Sequence, residues 1–104
     1  MNLKSLGDAK DWFEILQTSG QCQTALMTLK PGGASGAELN AHEKSEQVLL
    51  VLEGEVEGEI GGEKCVLRKG DTVVILPGVK HRFQNMGKDK AVTFNVYAPP
   101  EYPA

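Results

Sequence analysis

Apolar and polar residues alternate along this chain in short runs, and glycine or proline ends most of them. This short period suits strands and leaves little room for helices. The segment 10–30 predicts a first hairpin, with an extended piece from Trp12 to Leu16 and a polar turn from Thr18 to Gly20. The returning strand places three apolar residues on one face before Pro31 stops it, namely Ala25, Met27 and Leu29. The pattern therefore predicts an all-β fold.

A second, tighter hairpin is predicted where Val56 and Ile60 precede the pair Gly61 and Gly62, because two glycines tolerate the positive φ of a tight turn. Three glutamates alternate with the apolar residues, and a solvated outer face explains them better than an acidic binding strip: Glu55, Glu57 and Glu59. Two more strands are predicted in "DTVVILPG" and "AVTFNVYAPP". Strands this short must close into a barrel or pack as a sandwich to hide their apolar faces and edges.

The run "VLLVL", Val48 to Leu52, does not alternate, which predicts a strand that is covered on both faces. One face would look into the barrel, and the other would look toward a second sheet or a second subunit. In a chain this small a second subunit is a serious candidate, so we expect a homodimer.

The length and charge of the chain limit the classes of partner that it could bind. The 104 residues predict one domain over 1–104 and therefore one site at most. The chain has 11 Lys and Arg residues against 14 Asp and Glu and no basic run, so it offers no electrostatic footprint for nucleic acid or an anionic membrane. We expect a small-molecule ligand instead. Cys22 and Cys65 lack CxxC spacing, and no signal-like or membrane-length apolar stretch is present, so we expect two small core residues in a cytoplasmic protein with reduced thiols.

Polar residues that break the strand pattern cluster in two segments, 36–54 and 70–85. The first lies within "LNAHEKSEQVLLVLEG" and carries Asn40, His42, Gln47 and Gly54. The second, "GDTVVILPGVKHRFQN", carries Gly70, Gly78, His81 and Asn85. In order and spacing they resemble the two motifs of the small single-domain cupins, His-x-His followed by Glu and Gly, and Pro-x-Gly followed by His and Asn. Asn40 stands in the place of the first histidine and Gln47 in the place of the glutamate.

The resemblance implies a cupin-type double-stranded β-helix, the jelly-roll barrel, with a divalent metal ion inside it. Zinc, nickel, manganese or iron would be held by four side chains, His42, His81, Gln47 and Asn40. Residues two apart on a strand share a face, so Asn40 and His42 can converge on one point. This donor set carries no negative charge, because neutral amides replace the usual carboxylate and one imidazole. We therefore expect metal binding to be weak or absent.

Two classes of function stay open on the sequence. In the first, the protein is a metal-dependent enzyme acting on a small organic acid or sugar, and Glu43, in the loop beside His42, is the candidate catalytic base. In the second, it is a non-catalytic module that binds or senses a small ligand, and Asn40 hydrogen-bonds that ligand. A histidine at position 40 would favour the enzyme, whereas Asn40 leaves the two classes about equally supported. The fold does not decide between them, since one barrel hosts many chemistries. Three glycines and one asparagine are predicted to serve turns and strand ends in either case: Gly54, Gly70, Gly78 and Asn85.

Overall fold

A computed structural model describes residues 1–103, and almost all of its regular structure is strand. One short 3₁₀ helix, Leu6–Asp8, precedes eight strands. The strands are β1 Phe13–Thr18, β2 Gln23–Leu29, β3 Glu46–Glu53, β4 Glu55–Ile60, β5 Glu63–Arg68, β6 Thr72–Ile75, β7 His81–Gln84 and β8 Ala91–Ala98. The predicted all-β class is confirmed. Within the described range, no helix is long and apolar enough to cross a membrane.

The strands form two antiparallel sheets. The larger has the order β1-β2-β8-β3-β6, and the smaller has the order β5-β4-β7. Both predicted hairpins are present, β1 with β2 and β4 with β5. The second hairpin turns through Gly61 and Gly62, which have φ of 58° and 85°. Such a turn needs two left-handed residues in succession, so the glycine pair sets the pairing of β4 with β5.

The core lies between the two sheets. Its largest fully buried apolar side chains come from both sheets: Phe83, Leu49, Ile75, Val51 and Val56. Gly58 leaves room for this packing, because a Cβ there would lie 3.1 Å from the Phe83 ring. Cys65 packs against the core, whereas Cys22 is exposed in the turn between β1 and β2. The expectation of two core cysteines is therefore wrong for Cys22, since that residue falls just outside the strand.

Within the single chain, strand β3 is fully covered on one face and only partly covered on the other. Leu49 and Val51 are fully buried in the core. On the outer face Val48 is 36% exposed, and its neighbour on β6, Val74, is 55% exposed. The predicted second cover of "VLLVL" is thus not supplied by a second sheet of the same chain.

The loop between β2 and β3, residues 30–45, runs along the edge of β7. Asn40 and His81 exchange both backbone hydrogen bonds, at 3.0 and 2.7 Å. The amide of Gly78 donates to the carbonyl of His42 at 2.7 Å. These contacts bring the two motifs, which are distant in sequence, to one end of the sandwich. Asn85 has the predicted structural role, because its buried amide donates to the carbonyls of Leu29 and Asp89.

Candidate functional site

A cavity of about 540 Å³ opens at this end of the sandwich. Its lining combines aromatic and polar side chains, including Trp12, Phe13, His42, His81, Phe83, Tyr97 and Tyr102. A larger groove of about 1070 Å³ lies between the N-terminal segment and the outer surface of β2 and β8, and none of the predicted site residues lines it. The smaller cavity is therefore the candidate site.

The structure brings three of the predicted site residues together. His42 and His81 are each 6% exposed, and their ring centroids lie 5.0 Å apart. Gln47 is also buried, on the inner face of β3. Asn40 lies at the exposed rim of the cavity, where its side-chain oxygen accepts a hydrogen bond from the amide of Ala41. Glu43 is exposed on the surface and does not line the cavity.

A chain of hydrogen bonds leads from His42 into the core. His42 Nε2 lies 3.0 Å from Gln47 Oε1, and Gln47 Nε2 donates to Asn95 Oδ1 at 3.0 Å. Asn95 Nδ2 donates to Thr93 Oγ1 at 3.0 Å, and the Thr93 hydroxyl donates to the carbonyl of Met27 at 3.2 Å. In this arrangement the Thr93 hydroxyl donates to a backbone carbonyl, which only accepts, and each amide of the chain donates toward that end. Gln47 Oε1 then faces His42 as an acceptor, and Nε2 of His42 donates to it.

The other nitrogen of His42 faces a carboxylate. His42 Nδ1 lies 3.3 Å from Glu101 Oε2. If the ring is neutral and carries its hydrogen on Nε2, the lone pair of Nδ1 faces the carboxylate oxygen, and both atoms are acceptors. Nδ1 and the carboxylate are close enough to form an ion pair whenever the ring is protonated. Both nitrogens of His42 are then occupied by protein groups.

Glu101 reaches His42 because the segment after β8 is anchored to the barrel. The side chain of Gln23, fully buried, donates to the carbonyl of Tyr102 at 2.9 Å. It accepts from the amides of Tyr102 and Glu101, at 2.9 and 3.2 Å. The hydroxyl of Ser45 donates to the carbonyl of Pro99 at 2.7 Å. Residues 99–102, the C-terminal strap, are thereby held against the barrel, and Tyr102 of this strap lines the cavity.

His81 has the opposite arrangement. Its Nδ1 lies 3.0 Å from the carbonyl of Val79 and therefore donates, which leaves the lone pair on Nε2. Among residues 1–103 Nε2 has no hydrogen-bond partner, and no fully buried polar side-chain atom there lacks one, so this nitrogen is open to the cavity. Burial lowers the pKa of His81 and nearby His42 lowers it further, although the bond to Val79 acts the other way. His81 is the neutral imidazole of the pair.

The tyrosines beside the histidines stay protonated. Burial raises the pKa of Tyr97, and the neighbouring Tyr102 adds to this effect. Burial also raises the pKa of Tyr102. Their hydroxyl groups therefore remain neutral in the cavity wall.

The residues present do not fit the metal ion that the resemblance implies. A ligating imidazole needs a lone pair free of protein partners, whereas on His42 the hydrogen-bond chain engages Nε2 and the Glu101 carboxylate lies against Nδ1. Gln47 Oε1 accepts from His42, so it too is engaged. Across residues 1–103, no group of three His, Cys, Asp or Glu side chains is arranged to hold a metal ion. Among the four predicted ligands, only His81 has an imidazole nitrogen, Nε2, whose lone pair is free to bind a metal ion.

Sequence reasoning missed several residues of this site, among them Gln23, Thr93, Asn95, Glu101 and Tyr102. A signal existed for three of them. Extending the alternation of Ala25 and Met27 back by one step puts Gln23 on the inner face, and Thr93 and Asn95 share a face with buried Tyr97. A polar residue at an inward position indicates a buried hydrogen-bond network. Nothing local indicated the strap.

Comparisons with known proteins agree with this fold. A family model described as a cupin domain matches residues 25–97. BH2720 of Bacillus halodurans is similar in structure, with a TM-score of 0.86 and 24% identity over 93% of this chain and 76% of that chain. The protein TT1209 of Thermus thermophilus has a TM-score of 0.82 and 28% identity over 95% of this chain and 98% of that chain. The predicted jelly-roll barrel is confirmed.

Two further matches are more limited. The uncharacterized protein MJ1618 of Methanocaldococcus jannaschii is 37% identical over 49 residues, which are 47% of this chain and 39% of that protein. The chain thus spans about two fifths of the length of this curated relative. A sugar phosphate isomerase of Silicibacter pomeroyi has a TM-score of 0.69 and 22% identity over 77% of this chain and 52% of that chain, which shows a shared fold alone.

Proposed function

Because this chain belongs to the cupin family, we propose that it binds a small organic molecule inside its barrel and needs no metal ion to do so. The observation that carries this proposal is the double engagement of His42, whose two nitrogens contact Gln47 and Glu101. With His42 engaged by these two protein groups, the barrel still has a cavity of about 540 Å³, a size that suits a small ligand. The protein is then a binding or sensing module.

The metal-dependent enzyme is the less supported alternative. Metal binding would require His42 to give up its contacts with Gln47 and Glu101. It would also require a negatively charged ligand that the predicted set lacks. Glu43, the candidate base, is exposed and lies outside the cavity lining. A general base must come within hydrogen-bond reach of the proton that it removes. Of the buried candidate residues, His81 alone has a ring nitrogen without a protein hydrogen-bond partner.

The test is ligand binding by protein freed of metal. After dialysis against a chelator, with the loss of metal verified by elemental analysis, phenol is titrated into ¹⁵N-labelled protein. We expect saturable shifts at residues that line the cavity, such as Phe83 and Tyr97, and the same affinity after zinc is added back. Absence of saturable binding in the metal-free protein would overturn the proposal, whether or not zinc restores it.

We also propose that two copies of the chain associate through the outer face of the larger sheet. Val48, Val74 and Leu76 are 36%, 55% and 56% exposed there. The first two are directly paired across β3 and β6, so their side chains form one continuous apolar surface. Burial of such a surface against a second copy would remove it from water. It would also supply the second cover that "VLLVL" predicts.

A further inference from the structure

The walls of the cavity favour a flat, apolar ligand body. Aromatic rings and Met27 supply most of the bulk of the lining, with Phe13, Phe83, Tyr97 and Tyr102 among them. Tyr97 and Tyr102 meet edge to face, with centroids 5.2 Å apart, and Phe13 and Tyr102 are arranged in the same way at 5.2 Å. Aromatic side chains contact another ring favourably both at their faces and at their edges.

The polar atoms of the cavity favour a hydrogen-bond donor on that body. His42 and Gln47 have their hydrogen-bonding atoms engaged with one another, Glu101 and Asn95. Nε2 of His81 bears a lone pair and has no protein partner. A ligand that covers this nitrogen without donating to it would displace water and leave a buried acceptor without a hydrogen bond, which costs free energy. A ligand hydroxyl at this position would instead donate to it.

The charges of the site disfavour an anion. None of the residues that line the cavity is Lys or Arg, and the one acidic residue among them is Glu38, which is exposed. Both ring nitrogens of His42 face protein groups, Gln47 and Glu101, so neither is directed at a ligand in the cavity. Phosphate and carboxylate groups need charged donors that point at them, and a buried anion without them is costly. The substrate class named for the Silicibacter pomeroyi isomerase would therefore not fit.

We propose that the ligand is a small uncharged compound of phenolic type, with a planar ring between the aromatic walls and a hydroxyl that donates to Nε2 of His81. This inference rests on the proposed function, because it names the ligand class of that same cavity. His81 is the residue that determines specificity, since its Nε2 selects a donor over an acceptor. The hydroxyl groups of Tyr97 and Tyr102 stand in the same lining and remain neutral.

Three probes of similar size test the proposal by NMR titration of the metal-free protein. Phenol carries the donor, anisole has the same ring and oxygen without it, and phenyl phosphate adds a charge. In the parent protein we expect phenol to bind more tightly than anisole, and phenyl phosphate to bind at least about tenfold more weakly than phenol. His81→Phe should weaken phenol binding about fivefold, the value of one net neutral hydrogen bond, and leave anisole within about twofold.

Two variants serve as controls. His81→Gln keeps an acceptor oxygen and should retain most of the preference for phenol, whereas Glu43→Gln, on the exposed loop, should leave all three affinities unchanged. Phenyl phosphate binding as tightly as phenol would overturn the ligand class, as would an equal loss of phenol and anisole in His81→Phe. If His81→Phe does not fold, tighter binding of anisole than of phenol to the parent overturns it as well. If none of the probes binds, the proposed function itself has failed.

Discussion

His42 Nδ1 and Glu101 Oε2 lie 3.3 Å apart, which joins the first motif to the segment that follows the last strand. The contact occupies the second nitrogen of a histidine whose first nitrogen already donates to Gln47. It also places the strap, and with it the ring of Tyr102, against the cavity. One contact therefore engages a predicted metal ligand and holds Tyr102 in the wall of the site.

Restoring the family's usual ligands should create a metal site. Asn40→His adds an imidazole opposite His81, on the same face, and Gln47→Glu replaces a neutral acceptor with a carboxylate. We expect the double variant to bind zinc, nickel or manganese at least about tenfold more tightly than the parent, roughly 1.4 kcal/mol, by titration calorimetry. Adding His81→Ala should remove most of this binding. A parent protein that already binds as tightly would show that the donor set is assigned incorrectly.

The amide of Gln23 should hold the strap in place. Gln23→Ala removes three hydrogen bonds to the backbone of Glu101 and Tyr102, and we expect unfolding free energy to fall by about 1–3 kcal/mol. Hydrogen exchange should accelerate at the amides of both residues. Gln21→Ala, in the exposed turn of the same hairpin, is the matched control and should change stability by less than about 0.5 kcal/mol. Unaltered exchange in Gln23→Ala would contradict the anchoring role.

The direction of the buried chain can be tested at Asn95. Asn95→Asp replaces the amide that donates to Thr93 by an acceptor, so the Thr93 hydroxyl either faces a second acceptor or gives up its bond to the Met27 carbonyl. We expect a loss of several kcal/mol at neutral pH, measured by urea unfolding. Burial raises the pKa of such a carboxyl above that of the unfolded chain, and the protonated acid can donate again, so the loss should shrink as pH falls. A loss that grows on acidification would contradict the assigned direction.

The lowered pKa of His81 makes a pH-dependent contribution to stability. Its folded-state pKa lies below the ordinary value of 6.5, so the unfolded state binds the proton first as pH falls. Stability from this group should therefore be lost on acidification below 6.5, and the loss should be complete below the folded-state pKa. Comparing the parent with His81→Gln by urea unfolding, at about pH 7.5 and about pH 5.5, isolates the effect. If the parent loses less unfolding free energy on acidification than His81→Gln does, the predicted sign of this contribution is wrong.

Association through the larger sheet should be sensitive to Val74. Val74→Lys places a charge on the exposed apolar face, and we expect the dimer dissociation constant to rise at least about tenfold in light scattering. Val66→Lys is the control, because Val66 is 46% exposed on the other sheet. A parent protein that remains at 11.2 kDa over all accessible concentrations would contradict the dimer.

Local patterns were sufficient for most of the fold. The alternation of Ala25, Met27 and Leu29 and the turn at Gly61 and Gly62 predict both hairpins, because strand parity and positive φ are properties of neighbouring residues. The expectation of a core position for Cys22 rested on residue type and not on this alternation, and it is wrong because Cys22 stands one residue before β2 and is exposed. Element ends depend on tertiary contacts, which a local pattern does not contain.

For the site, motif spacing predicted that His42, His81 and Gln47 lie together, and the structure places all three in one cavity. The protons on those side chains could not be predicted in this way. The state of His42 depends on a backbone carbonyl at Met27, three side chains away through the core, and on a carboxylate at Glu101. A residue's neighbours along the chain determine which face it occupies, but the partners that its polar atoms meet across the barrel determine whether it donates or accepts.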